Sequence, residues 1–246
     1  YYKLMHIFHI PAYTDNYIWV IKKGNNVSLI DPGDSKPVLE VLDNNEFILQ
    51  DILITHHHFD HTGGLLPLKS KMQGKAYGPK GNIEGLDIHL EHGDSCETLG
   101  YEFEVLATPG HTLDHIIFYN NEDLVLFCGD TLFSAGCGRL FEGTYEQMHE
   151  SLQMINKLNE KTMLYCAHEY TESNLKFVTH ELDDIFVNNY YESIKKKREK
   201  NLITIPTSLS TERKINPFLL MNVPDNVKKL SKLDQFKELR IRKDNF

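Results

Sequence analysis

The sequence predicts an α+β fold, two layered β-sheets flanked by helices and then a small helical domain. Three observations lead there. Apolar runs of strand length dominate the first 130 residues, helical spacing sets in after residue 144, and residues 171–246 are more polar and broken by prolines.

The strands come first. Runs at 17–21, 27–31, 51–55, 103–107, 115–119 and 124–128 are rich in β-branched and aromatic residues and bounded by Gly, Pro, Asn or Asp. Runs that are apolar throughout predict strands covered on both faces. One helix is expected from near Pro37 and another after Gly64. Thr144 and Gln147 have capping-box spacing, and Met148, Leu152, Ile155 and Leu158 come after them at helical intervals. A further strand is expected at 163–167. Residues 183–200 read as one helix with Ile185, Tyr190 and Ile194 as apolar marks, and Pro206, Pro217 and Pro224 punctuate the chain beyond it. This gives a main domain at 1–170 and a helical domain at 171–246, a division suited to a chain of 246 residues.

Composition narrows the function classes. Hydrophobic residues at 41% and charged residues at 25% are ordinary globular usage. No apolar run reaches the roughly 18 residues of a membrane-spanning helix, and the start lacks the pattern of a secretory signal. Met5 is a candidate start, with residues 1–4 an extension ahead of it. The four cysteines (Cys96, Cys128, Cys137, Cys166) form no CxxC pair, which predicts a reducing cytoplasm. Residues 1–170 carry 11 Lys/Arg against 24 Asp/Glu, a net −13, while 171–246 carry 15 against 11, a net +4. So acidic a main body argues against a nucleic-acid partner. The basic remainder suits a small anionic ligand. No membrane partner is expected, and a monomer is.

The chemistry concentrates in Thr55-His56-His57-His58-Phe59-Asp60-His61. It comes directly after the expected strand 51–55, and side chains at i and i+2 near a strand end project to one side. His56 and His58 can therefore converge on one ion. Asp60 and His61 come a turn later and reach a second site, and His57 and Phe59 point elsewhere. A lone HxH is often incidental, but HxHxDH directly after a strand is not. Imidazole and carboxylate suit Zn²⁺, Fe²⁺ or Mn²⁺. Three more candidates stand after later strands, His111 after 103–107, Asp130 after 124–128 and His168 after 163–167. Seven ligands exceed what one catalytic zinc takes and suit two ions with a bridging carboxylate.

These motifs resemble the metallo-β-lactamase superfamily and, more closely and over nearly the whole chain, the hydroxyacylglutathione hydrolase (glyoxalase II) family. Besides HxHxDH, the segments carrying the likeness are 15–17, 31–34, 108–112, 128–133, 136–143, 167–170 and 240–246. The stretch 136–143 and the ending with Arg240 and Lys243 narrow it to the family. The resemblance implies a four-layer αββα sandwich followed by a helical substrate-binding domain. It implies one metal site of His56, His58 and His111, a second of Asp60, His61 and His168, and Asp130 as the bridge. The ions are expected to be zinc, with iron or manganese as alternatives. The glutathione moiety is expected against Arg139, Leu140, Phe141, Tyr170, Arg240 and Lys243. Phe141 stands where the family often has Tyr, and Leu219-Leu220 come after Asn216-Pro217-Phe218 where an Arg often stands.

The implied reaction is hydrolysis of S-lactoylglutathione to lactate and glutathione, the second step of methylglyoxal detoxification. Two divalent ions lower the pKa of a shared water from 15.7 toward about 7. Asp60 and Asp130 are the catalytic carboxylates of this reading. A thiolate leaving group, thiol pKa near 8.5, needs no strong general acid. Cys137 is expected to pack rather than attack. Asp31 is expected either to hold a ligand imidazole or to shape the turn before Pro32-Gly33. Another hydrolase of the superfamily is the rival reading, and a metal-binding protein without turnover comes from a different class.

Overall fold

The structure, a computed structural model, describes residues 4–246; the candidate extension at 1–4 lies outside that range except for Leu4. One six-stranded sheet joins β1 (His6–Ala12), β2 (Asn16–Lys23), β3 (Asn26–Ile30), β4 (Ile48–Leu53), β5 (Ala76–Pro79) and β6 (Ile88–Leu90) in that order. Its first three strands are antiparallel and the rest parallel. Parallel neighbours need a crossover. The first is helix α1 (Ser35–Asn45), started by Asp34, whose side chain accepts from the Lys36 N–H. The second contains the histidine-rich loop, the single turn α2 (Phe59–Thr62) and α3 (Leu65–Lys69). HxHxDH thus stands at the carboxyl end of a parallel strand, where α/β sheets place ligands.

The second six-stranded sheet uses β7 (Ser95–Thr98), β8 (Tyr101–Ala107), β9 (Ile116–Asn120), β10 (Val125–Gly129), β13 (Met163–Cys166) and β14 (Thr207–Ser208), in the order β14-β13-β10-β9-β8-β7. A two-residue hairpin, β11 (Leu132–Phe133) with β12 (Gly136–Cys137), comes after β10. Then come α4 (Tyr145–Asn156), with the expected capping box, α5 (Thr171–Glu181), α6 (Ile185–Arg198), α7 (Leu209–Ile215) and α8 (Lys232–Asn245).

The chain divides into two compact units, residues up to 107 with 114–129, and residues 108–113 with 130–246. The first is built on Ile18, Val20, Val27, Leu29, Leu49, Ile52 and Leu65, all buried. The second has an aromatic core in which Phe218 stacks on Phe177 and meets Phe236 edge-on.

The expected strands all form, with shifted ends. Leu124 takes φ 53 in a turn, so its strand starts at Val125. The expected helix 183–200 runs from Ile185 to Arg198. Ile185, expected as an apolar mark, is exposed, because Asp184 caps the helix and Ile185 falls on its open first turn; Val187 and Ile194 are buried instead.

Candidate metal centre

The histidine-rich loop is held from behind. Asp31, at φ 53, accepts from the Thr55 N–H (2.7 Å) and the Thr55 hydroxyl (2.7 Å), and its Oδ2 lies 3.0 Å from His61 Nδ1 in an ion-pair contact without hydrogen-bond alignment. A carboxylate has no proton to offer, so this contact favours the His61 tautomer with its proton on Nδ1 and its Nε2 lone pair forward. Thr55 gives its one hydroxyl proton to Asp31, so its 3.0 Å contact with His56 Nδ1 takes a proton from the ring. His56 therefore also presents Nε2. Asp60 is fixed by Asn16, whose side-chain amide donates to Oδ2 at 2.9 Å. Gly33 lies against the Asp60 backbone so closely that a Cβ there would stand 1.8 Å from the Asp60 carbonyl oxygen. His56 and His61 are buried, while His58 and Asp60 are half-buried.

The later loops repeat the device. His111 Nδ1 lies 2.8 Å from the Arg139 carbonyl oxygen, which can only accept, so Nε2 again faces forward. Asp130 Oδ2 lies 3.4 Å from His111 Nε2 and 3.3 Å from His168 Nε2. His168 lies flat on Tyr170, ring centroids 4.7 Å apart, and edge-on to Phe133.

Among the described residues, candidate ligand atoms lie within 4.8 Å of one another in four groups. These are His56, His58 and His111; His56, His61 and Asp130; Asp60, His61 and His168; and His57, Asp114 and Glu142. The first three groups take in all seven sequence candidates. The donor set fits a divalent ion. Imidazole lone pairs meet carboxylates at 3.4 Å (His111–Asp130) and 3.5 Å (His61–Asp60), too long for charge-assisted hydrogen bonds of about 2.7–2.9 Å. Such spacing suits a cation shared by both. His57 instead bonds Asp114 (2.9 Å), and Phe59 is exposed.

The expected substrate contacts differ in availability. Arg139 and Phe141 are exposed, Leu140 and Tyr170 half-buried, and the Phe141 ring stands edge-on to His111. Arg240 is 4% exposed and committed to protein. It donates to the Cys137 carbonyl (3.0 Å) and to Asp244 (2.8 Å), and its guanidinium lies over Phe218. Arg240, expected against the glutathione moiety, therefore turns its guanidinium to protein groups. Lys243 is half-buried over Phe177 and Phe246, and burial, helped by Arg240, lowers its amine to about 8. The Cys137 thiol is pushed up by burial against the opposing pull of Arg240, which suits packing rather than attack.

Sequence reasoning assigned no role to Asn16 or His115. Asn16 lies in the segment 15–17, one of those that carry the family likeness. His115, four residues after His111, is buried and stacks on His56 at 4.7 Å.

Comparison with known proteins agrees with this geometry. Residues 169–246 match the family model "Hydroxyacylglutathione hydrolase C-terminus", and residues 14–84 and 69–168 match "Metallo-beta-lactamase superfamily". A hydroxyacylglutathione hydrolase of Klebsiella pneumoniae is 44% identical over 253 residues, covering 98% of this chain and 100% of the relative. One of Enterobacter sp. is 45% identical with the same coverage. The crystal structure of ETHE1 from Myxococcus xanthus superposes with a TM-score of 0.70 at 23% identity, over 96% of this chain and 90% of that one, and shares the fold. The α+β architecture is thus that of the metallo-β-lactamase fold, and the chain belongs to the hydroxyacylglutathione hydrolase family of that superfamily.

Proposed function

We propose that this chain hydrolyses S-2-hydroxyacylglutathione thioesters, S-lactoylglutathione foremost, to the hydroxy acid and glutathione. The observation that carries this reading is the full-length identity to hydroxyacylglutathione hydrolases, together with an intact donor set at every implied position. His56, His58 and His111 would hold one divalent ion and Asp60, His61 and His168 another, with Asp130 serving both. Bound divalent ions, zinc in this reading, supply an acidified water and a Lewis acid for the thioester carbonyl. The protein's part is to orient the donors. Asp31, Thr55 and the Arg139 carbonyl favour three imidazole tautomers, and Asn16 steadies Asp60. Arg139, Leu140, Phe141, Tyr170 and Lys243 receive the glutathione half, and Arg240 braces their loop through Cys137. Phe141 offers no hydroxyl, so the peptide there depends on backbone groups. The leaving thiolate needs no proton donor of the chain.

In this reading residues 1–170 catalyse and 171–246 bind substrate, and the protein works as a cytoplasmic monomer without nucleic acid. All four cysteines are buried and outside any disulfide, as a reducing compartment allows. No helix among the described residues is long and apolar enough to cross a membrane.

Purified protein is expected to release thiol from S-lactoylglutathione. Stripping with a chelator should lower the rate at least about 100-fold, and added zinc should restore it. Release that ignores the chelator would refute the reading.

Lys243 gives a second check. Its amine is charged below about 8 and neutral above, so its hold on a substrate carboxylate weakens as pH rises through that value. The wild-type KM is expected to climb across pH 7–9, while Lys243→Gln has a higher KM at pH 7, a flatter profile and nearly unchanged kcat. Parallel KM profiles for the two proteins would remove Lys243 from the site.

A further inference from the structure

Glu212, on α7, is fully buried, yet nothing in the proposed reaction uses it. Its carboxylate accepts from the Ser134 hydroxyl (2.8 Å), the Ala135 N–H (2.8 Å) and the Asn216 side-chain amide (3.1 Å). Ser134 and Ala135 are the turn of the β11–β12 hairpin, and Ala135 holds the left-handed φ of 58 that a non-glycine residue adopts at a cost. Asn216 also donates to the carbonyls of Phe133 (3.1 Å) and Gly136 (2.9 Å), and Asn174 to that of Ser134 (3.0 Å). Side chains from 174–216 therefore grip the turn at four consecutive residues.

The feet of this hairpin are site residues. Asp130 lies just before it and Arg139 just after, and the Gly138 N–H bonds the Thr131 carbonyl (3.2 Å) between them. A Cβ on Gly138 would stand 2.0 Å from the Asp130 carbonyl oxygen, so the two feet touch. The Arg139 carbonyl is the group that orients His111. Any shift of the turn moves Asp130 and that carbonyl together.

We propose that Glu212 is a positioning residue for the metal centre, setting Asp130 and His111 through its grip on the 134–135 turn; this rests on reading those two as ligands. A carboxylate suits the task because both oxygens only accept, and donors reach it from Ser134, Ala135, Asn216 and Thr207. Glutamine would turn an amide N–H₂ toward one of those donors. Burial pushes the Glu212 carboxyl up to about 7, while its donors pull it down by favouring the ionised, accept-only form.

The test measures zinc affinity of the metal-stripped full-length protein by competition with a chromophoric chelator, with melting of the metal-free forms as the folding check. Glu212→Gln and Glu212→Ala are expected to melt cooperatively and to bind zinc about 10–100-fold more weakly. Ser134→Ala removes one donor and leaves the carboxyl in place, so it carries the test should the Glu212 variants not fold; its zinc affinity should fall several-fold. A merely structural Glu212 would lower the melting temperature and leave zinc affinity in the folded variants unchanged, and that result overturns the proposal. Asp130→Asn and His111→Ala serve as controls. Unaltered zinc affinity in both would sink the ligand assignment itself, whatever Glu212 does.

Discussion

Replacing Asp130 with Asn should cut kcat by at least about a thousandfold while leaving the fold intact. The magnitude comes from losing a term of several kcal/mol at 1.36 kcal/mol per tenfold. Asp130 Oδ2 lies 3.4 Å from His111 Nε2 and 3.3 Å from His168 Nε2. An amide there has no charge to balance a bound divalent cation and puts either a hydrogen-bearing nitrogen or a weaker donor between the imidazoles. Asn has the same shape, and the backbone contact with Gly138 does not involve the side chain, so folding should survive. Thiol-release kinetics, metal content by mass spectrometry and circular dichroism check the three parts. A kcat within tenfold of wild type at full metal content would contradict the bridging role.

Asp31→Asn is expected to weaken metal binding about 10–100-fold although Asp31 touches no metal in this reading. The argument is one of tautomers. The Asn oxygen can keep the Thr55 N–H, but its N–H₂ then faces the Thr55 hydroxyl and His61 Nδ1. An N–H₂ beside His61 Nδ1 disfavours a proton on that nitrogen, the ring proton shifts toward Nε2, and the forward lone pair is lost. Asn tolerates the left-handed backbone at position 31, so stability should change little. Asp31→Ala is different. It strands the buried Thr55 N–H and hydroxyl, at about 1–3 kcal/mol each, and adds left-handed strain of about 1–2 kcal/mol. Chelator competition and urea unfolding on the two variants separate orientation from stability. Equal metal affinity for Asp31→Asn and wild type would end the tautomer argument.

The contrast between Asp31 and Asp60 shows what the sequence makes legible. The ligand candidates could be read because each stands within a few residues of an apolar strand's end, and strand-end geometry is local. The residues that orient them are remote. Asn16 reaches Asp60 across 44 positions and Glu212 reaches Ser134 across 78, with no periodicity or spacing to announce either. Among the elements, the six long apolar strands and α4 were clear. The strands β5 to β7 were not: β5 contains Gly78 and Pro79, β6 has three residues, and β7 is mostly polar. Helix α8 hides its inward face because two of its buried residues, Gln235 and Arg240, are polar. Lys243 and Arg240 looked alike as neighbouring cations; only the structure shows one spent on Cys137 and the other partly open.

The grip on the 134–135 turn bears on attempts to re-engineer the enzyme. Its carboxylate and two amides come from positions 174, 212 and 216, all within the stretch that a chimera-builder would exchange to graft in a new acyl or peptide preference. A foreign tail lacking those three side chains would leave Ala135 to hold its left-handed backbone unaided. Transplants should therefore carry Asn174, Glu212 and Asn216 with them, or bring a turn that needs no outside support.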